Sequence, residues 1–134
     1  MRNNFKKLYQ YNKIKLVPFG EFLPAENILK KIGIKKITEG YGSFSRGSIP
    51  QNFLYERYNI LPVICYELIF PEIFQRSNKK TNIILNISED GWFGESIGPS
   101  QHFIKAKFRA IENNSFLIRS ANKGYSAFIN NKGQ

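Results

Sequence analysis

Two short apolar runs, residues 60–64 and 82–87, constrain the fold of this chain more than any other feature. Compact runs of this kind, bounded by turn-forming residues, are typical of buried β-strands. Apolar residues then recur near helical spacing over residues 99–113, which predicts a helix. Strands and helices together predict a mixed α/β fold, and 134 residues suffice for one domain or part of one.

The other elements are predicted from shorter patterns. Pro71 suits the first turn of a helix, because its missing N–H would be unpaired there in any case. Residues 130–134 resemble a hairpin turn whose second strand is missing. The remaining predictions are strands at 8–17, 53–58, 116–119 and 125–129, helices at 26–32 and 71–77, loops at 38–50 and 88–99, and a turn at 122–124.

The composition limits the possible partners and cofactors. A formal net charge of +10 attracts polyanions, but the lysines lack the patterns of a base-reading module, so no specific nucleic acid partner is expected. One cysteine allows neither an intramolecular disulfide nor a cysteine-rich zinc site, and we expect no cofactor and no metal. Without an apolar stretch of ~18 to 20 residues or a signal-peptide core, the chain as written looks soluble.

The single cysteine, Cys65, follows directly on the strand predicted at 60–64. A thiol that a buried strand delivers to a turn has the position of a nucleophile. A free thiol has a pKa of about 8.5, and a helix N-terminus or a nearby cation lowers it toward neutrality. The alternative is an unreactive core cysteine, because free cysteine is among the most buried residue types.

Residues 11–21 place cations beside a turn. On the strand predicted at 8–17, Lys13 and Lys15 share one face, and Glu21 follows the turn. An ammonium close to Cys65 would stabilise a thiolate and the oxyanion of a tetrahedral intermediate, while Glu21 would orient it. The enzymatic interpretation requires the Lys13 amine to approach the Cys65 sulfur; the alternative is a solvated strand with ordinary surface charges.

Three separated motifs resemble the carbon-nitrogen hydrolase (nitrilase) superfamily and, within it, the bacterial apolipoprotein N-acyltransferase family. They are Tyr-x-Lys-x-x-Leu-Val-Pro-Phe-Gly-Glu at 11–21, Pro-Val-Ile-Cys-Tyr-Glu-x-x-Phe-Pro at 62–71, and Trp-Phe-Gly at 92–94 followed by Gln-His at 101–102. The motifs occur in the family's order and with compatible spacing. The resemblance implies a partial nitrilase-type α-β-β-α sandwich, with residues 1–134 forming the C-terminal part of an incomplete carbon-nitrogen hydrolase domain.

The resemblance also implies a Glu-Lys-Cys triad in which Cys65 is the nucleophile and Lys13 stabilises the tetrahedral intermediate. Glu21 resembles an additional glutamate beside the lysine, and Tyr66, Glu67 and Trp92 match residues that shape the substrate site. A phospholipid would acylate the cysteine, and the acyl group would pass to the N-terminal diacylglyceryl-cysteine of a lipoprotein. Full-length members of this family lie in the bacterial inner membrane, with this domain on the periplasmic side.

Two departures from the family pattern affect these expectations. The family's first glutamate, the general base, precedes the lysine motif by more residues than stand before Lys13, so this polypeptide alone is expected to be inactive or nearly so. The Ser-Glu-Asp-Gly sequence at 88–91 stands where the family tends to have Asn-Asp. This second departure concerns the geometry of the loop. His102 is expected to be structural.

Two other functions remain open from the sequence. One is a nitrilase-like amidase that uses the same triad on a small amide without any lipid. The other is a non-catalytic basic module that binds nucleic acid or a membrane surface, with Cys65 merely buried. Residues 22–47 combine lysines with isoleucines and a leucine, a pattern that fits contact with anionic lipid headgroups.

Overall fold

The computed structural model describes residues 7–22, 24–25, 28, 31, 33, 44–76 and 80–134. The described part contains a five-stranded mixed sheet whose strands lie side by side in chain order. These strands are β1 (Phe53–Tyr55), β2 (Tyr58–Ile64), β3 (Ile83–Glu89), β4 (Phe116–Asn122) and β5 (Ala127–Ile129).

The three central strands, β2, β3 and β4, are parallel, and an antiparallel edge strand flanks them on each side. Ile64 at the end of β2 pairs with Ile87 of β3, and Glu89 at the end of β3 pairs with Asn122 of β4. The carboxyl ends of parallel strands meet at one edge of a sheet, where α/β folds place their binding crevices. The residues that follow β2 and β3 are therefore neighbours.

Helical segments connect the parallel strands. A 3-10 helix at Cys65–Ile69 and the short helix α1 (Pro71–Gln75) follow β2, while a 3-10 helix at Asp90–Phe93 and the long helix α2 (Gly98–Glu112) follow β3. Arg109 of α2 donates from Nε to the carbonyl of Leu68 at 3.0 Å and from Nη2 to that of Ile69 at 3.1 Å. These bonds hold α2 against the segment that follows the nucleophile candidate.

Among the described residues, helices cover one face of the sheet and leave the other face open. Alternate strand residues point toward α1 and α2 and form the core, which consists of Leu61, Val63, Leu68, Ile73, Phe74, Ile84, Ala106, Ala110, Leu117 and Ile129. The intervening residues form an apolar surface on the opposite face, where Ile87, Phe116 and Phe128 are 59%, 58% and 82% exposed.

The mixed α/β fold predicted from the sequence is confirmed, as are the two buried strands and the long helix. The strand predicted at 8–17 is wrong: residues 7–17 form no strand. The strand predicted at 53–58 is two strands, because Glu56 and Arg57 form a tight turn with Glu56 at a φ of 53°.

Three further boundaries differ, among them the end of β4, which extends to Asn122 instead of 119, and two predictions go largely untested. The last strand begins at Ala127 rather than at 125, and β3 extends through Glu89 into the loop predicted at 88–99. Most of the helix predicted at 26–32, and residues 38–43 of a predicted loop, lie outside the described residues. Among the described residues, no helix has the length and apolar character needed to cross a membrane.

Candidate active site

Cys65 is the first residue after β2, at the sheet edge where the parallel strands end. Its φ of 53° is a left-handed backbone conformation, which costs a non-glycine residue free energy and is found where the surrounding structure enforces it. The thiol is partly exposed, and its Sγ lies 3.9 Å from the main-chain oxygen of Glu89 at the end of β3. The sharp turn thus presents the sulfur at the edge of the sheet.

The thiol opens into a cavity of about 340 Å³. Aromatic side chains form much of its wall: Tyr66 and Phe93 lie on opposite 3-10 helices with ring centroids 6.4 Å apart, and Trp92 is 55% exposed at its rim. The residues that line the cavity are Val17, Gly20, Glu21, Cys65, Tyr66, Glu89, Trp92 and Phe93. Apolar walls with few polar groups are typical of ligand pockets.

Lys13 reaches this cavity through Glu21. The Lys13 Nζ lies 2.5 Å from Glu21 Oε1, and the second carboxylate oxygen accepts from the main-chain nitrogen of Val17 at 2.8 Å. Glu21 lines the cavity together with Cys65, whereas Lys13 stands behind it with its side chain 10% exposed. The structure therefore brings Cys65 and Glu21 into one cavity and pairs Lys13 with Glu21, although not by the strand geometry that the sequence suggested.

Lys15 lies elsewhere, so the prediction that the two lysines share a strand face is wrong. Its Nζ forms an ion pair with Glu72 of α1 at 2.8 Å and lies 5.0 Å from the centre of the Phe70 ring. The backbone of residues 14–15 has no strand partner because its nitrogens bond to a side chain instead, the carboxylate of Glu67.

Glu67 does not line the cavity; its side chain is fully buried beneath it. One carboxylate oxygen accepts from the main-chain nitrogens of Ile14 at 2.6 Å and Lys15 at 3.0 Å. The other accepts from the nitrogen of Ile64 at 2.8 Å and the hydroxyl of Tyr11 at 3.1 Å. Glu67 thus fastens the lysine segment to the turn that carries the nucleophile, a different position from the substrate contact implied by the resemblance.

Tyr11 is fixed by the same carboxylate. Burial of its side chain, and the negative charge of Glu67 beside it, raise the pKa of Tyr11 far above its ordinary value. The phenol therefore stays protonated and keeps donating to Glu67 throughout the range in which enzymes work.

A second buried polar cluster lies behind the cavity and was missed by the sequence reasoning. Asp90 accepts hydrogen bonds from Ser88 at 2.7 Å and from Nη2 of Arg119 at 2.6 Å, and it lies 2.9 Å from Nδ1 of His102. Arg119 also bonds to Asn86 of β3. The signal was an arginine within the apolar run of β4, since a charge at an inward strand position requires a buried partner.

The Ser-Glu-Asp-Gly sequence at residues 88–91, which departs from the family pattern, forms the end of β3 and the start of the second 3-10 helix. Glu89 caps the second 3-10 helix: its Oε1 accepts from the nitrogen of Gly91 at 2.9 Å, and its Oε2 accepts from the side chain of Asn122 at 2.6 Å. Both donors are neutral, so they leave the carboxylate charge in place. Within the described residues, no group of three or more His, Cys, Asp or Glu side chains could hold a metal ion.

A chain with this sheet and this site has the architecture of a nitrilase-type domain. The profile of the carbon-nitrogen hydrolase family matches residues 2–134, and the chain belongs to that family. Among solved structures, an amidase from Nesterenkonia sp. AN1 aligns with 95% of this chain and 45% of its own, with a TM-score of 0.63 and 19% identity. A CN-hydrolase superfamily protein from Xanthomonas campestris aligns with 69% of this chain and 40% of its own, with a TM-score of 0.54 and 21% identity.

Curated relatives narrow the similarity further. The chain is 46% identical over 125 residues to the apolipoprotein N-acyltransferase of Rhodopseudomonas palustris, which covers 92% of this chain and 23% of that protein. It is 41% identical over 133 residues to the protein of the same name from Rickettsia prowazekii, covering 98% of this chain and 26% of that protein. The chain thus spans about a quarter of the length of these relatives.

Proposed function

We propose that this chain carries the nucleophile part of an apolipoprotein N-acyltransferase site, in which Cys65 forms an acyl thioester. The observation that carries the proposal is the cavity itself, because it joins a thiol on a strained turn to the carboxylate of Glu21, which is paired with Lys13. Similarity to relatives with that name supports the acyl transfer over other thiol chemistry.

In the first step, the thiolate of Cys65 attacks the ester carbonyl of a phospholipid. A carbon–sulfur bond forms, and the carbonyl oxygen becomes an oxyanion that the ammonium of Lys13 stabilises while Glu21 orients it. The oxyanion then collapses, the ester carbon–oxygen bond breaks, and the lysophospholipid alkoxide takes a proton from solvent. The acyl chain remains on sulfur.

In the second step, the free α-amine of a diacylglyceryl-cysteine lipoprotein attacks the thioester carbonyl. The carbon–nitrogen bond forms, the carbon–sulfur bond breaks, the thiolate of Cys65 returns, and the amine loses a proton to solvent. The aromatic side chains of Tyr66, Trp92 and Phe93 would hold the acyl chain, since their rings form an apolar wall beside the sulfur.

The place of action in the proposal is a membrane surface. A phospholipid donor and a lipidated acceptor both reside in a bilayer, which for this family is the bacterial inner membrane on its periplasmic side. The exposed ring of Trp92 at the cavity rim and the net charge of +10 suit contact with an anionic lipid surface.

The proposal is tested by comparing two reactions of Cys65, the only cysteine of the chain. A p-nitrophenyl ester acylates the thiol through a tetrahedral intermediate, whereas iodoacetamide alkylates it without one. We expect Lys13→Met to lower the ratio of the acylation rate to the alkylation rate about tenfold, because the oxyanion loses its cation. Mass spectrometry of the Cys65 peptide measures both products.

Lys15→Met is the matched control, because Lys15 is also an ion-paired lysine of the same segment but pairs with Glu72. Its ratio should equal that of the parent chain. An equal ratio in the parent, in Lys13→Met and in the urea-unfolded chain would contradict the proposal. Faster acylation by a decanoyl than by an acetyl ester supports the lipid donor, and the reverse order supports the small-amide alternative.

A further inference from the structure

His102, in the first turns of α2, is buried behind the cavity wall without entering the cavity. Its ring is held from one side by the polar cluster: Nδ1 lies 2.9 Å from Asp90 Oδ1 and 3.1 Å from Nη2 of Arg119. Asp90 is itself fixed by Ser88 and Arg119. The imidazole is therefore anchored to β4 and to the residue that follows β3.

The other sides of the ring contact the cavity wall. The centroid of the His102 ring lies 5.8 Å from that of Tyr66 and 5.7 Å from that of Phe93, and both of those rings line the cavity that holds Cys65. Tyr66 follows Cys65 directly in the chain. A displacement of the imidazole would therefore move the residue bonded to the nucleophile.

The remaining ring nitrogen faces away from the polar cluster. Nε2 is buried and has no partner of ordinary hydrogen-bond geometry among the described residues. The ring thus stands between the polar cluster on one side and Tyr66, the residue after the strained turn at Cys65, on the other.

A left-handed conformation at a non-glycine residue persists only where neighbouring groups enforce it. At Cys65 one such group is Glu67, whose carboxylate accepts from the nitrogen of Ile64 just before the turn. The carboxyl side of the turn has no comparable side-chain bond among the described residues, but Tyr66 there packs on His102. Tyr66 also contacts the rings of Phe70 and Phe93, so the imidazole is one of three rings that restrain it on that side.

We propose that His102 is a positioning residue, which acts through Tyr66 and Phe93 to aim the Cys65 sulfur at a carbonyl held near Lys13. It touches neither the substrate nor the thiol. The proposal rests on the proposed role of Cys65 as nucleophile, and it adds a residue outside the cavity to the groups that determine the rate.

The test compares a variant that loses only the ring of His102 with one that also loses its hydrogen bond to Asp90. In His102→Asn, the amide lies where Nδ1 lay and keeps the hydrogen bond to Asp90, but no ring packs on the cavity wall. We expect this variant to keep most of the thermal stability and to lose about tenfold in the ratio of Cys65 acylation by a p-nitrophenyl ester to alkylation by iodoacetamide. His102→Leu, which loses the anchor as well, should lose both stability and the ratio.

If His102 had only a structural role, the ratio of acylation to alkylation would fall only in variants that lose stability. A ratio in His102→Asn equal to that of the parent chain would therefore overturn the proposal. Ser115→Ala is the matched control, since Ser115 is a buried hydrogen-bonding residue after the far end of α2. It should lower stability and leave the ratio unchanged; a fall like that of His102→Asn would also overturn the proposal. If the proposed function itself fails, the result is different. The folded parent chain then shows the same ratio of Cys65 acylation to alkylation as the urea-unfolded chain.

Discussion

The carboxylate of Glu67 accepts a hydrogen bond from the main-chain nitrogen of Ile14 at 2.6 Å, and this bond joins the lysine segment to the turn of the nucleophile. The same side chain accepts three further bonds and is fully buried. One side chain thus determines where Lys13 stands relative to Cys65.

Glu67→Gln should be strongly destabilising. The amide places an NH₂ group against donors that a carboxylate oxygen accepts, so at least one buried main-chain N–H loses its partner. We expect the free energy of unfolding to fall by about 2 to 4 kcal/mol, measured by urea titration. Glu72→Gln, at the partly exposed pair with Lys15, is the control and should leave the free energy of unfolding nearly unchanged.

The burial of Asp90 and His102 predicts that the chain loses stability in mild acid. Burial, followed by the charge of Arg119, lowers the pKa of His102. Protons therefore bind the unfolded chain more readily than the folded one below about pH 6.5, and stability falls as the pH drops through that value. Burial alone would raise the pKa of Asp90, but hydrogen bonds from Ser88 and His102 and the charge of Arg119 lower it, so its contribution is lost at still lower pH.

The histidine part of this acid effect can be isolated because the chain has one histidine. Between pH 7 and 5, the free energy of unfolding of the parent should fall at a rate of up to about 1.4 kcal/mol per pH unit, whereas that of His102→Asn should be nearly flat. Urea titrations at half-unit intervals measure both slopes. Parallel slopes in the two proteins would mean that the imidazole titrates in the folded chain as it does in the unfolded one.

The sequence predicted the elements that carry a local apolar pattern. Residues 60–64 and 82–87 are rich in apolar residues and form central parallel strands. The helix was predicted from Ile104, Phe108 and Ile111, which are about half exposed, whereas its buried face carries His102, Ala106, Arg109 and Ala110. The strand predicted at 8–17 failed because an extended segment looks the same whether its partner is a strand or, as here, the side chain of Glu67.

The sequence predicted part of the candidate site, just as it predicted part of the fold. Cys65 and Glu21 were found from their places at the ends of apolar or motif-bearing segments, and the structure brings them into one cavity. The buried roles of Glu67 and of the cluster around Asp90 could not be read from local patterns, because each depends on partners tens of residues away in the chain. Long-range pairing of this kind leaves no periodic signature.

The cavity should prefer cationic reagents because of Glu89. Glu21 is neutralised by Lys13, whereas Glu89 accepts only from neutral donors in the described structure. We expect aminoethyl methanethiosulfonate to modify Cys65 faster than the anionic sulfonatoethyl reagent at low salt. Glu89→Gln should lower that rate ratio about tenfold, because a charge ~6 Å away in a water-like medium changes each of the two rates about threefold in opposite directions.

Two controls accompany the Glu89 measurement. Glu95→Gln removes an exposed carboxylate just beyond the second 3-10 helix and should leave the rate ratio as it is. Raising the ionic strength to 1 M should reduce the preference in the parent chain, since salt screens exposed charges. If the ratio of the two reagent rates is the same in Glu89→Gln and in the parent chain, the charge of Glu89 does not affect which reagents reach the thiol of Cys65.

The sheet face that the described residues leave open predicts self-association of a polypeptide with these 134 residues. Ile87, Phe116 and Phe128 expose more than half of their side chains on neighbouring strands, and apolar surfaces of this kind mark interfaces or sites of aggregation. The double variant Ile87→Thr and Phe128→Thr keeps strand-forming residues but removes apolar area. We expect it to sediment as a smaller species than the parent at equal concentration, whereas Ile97→Thr, which removes an exposed isoleucine just before α2, should not. A parent chain that sediments as a monomer at all concentrations would contradict the prediction, because the exposed rings would then have no role in association.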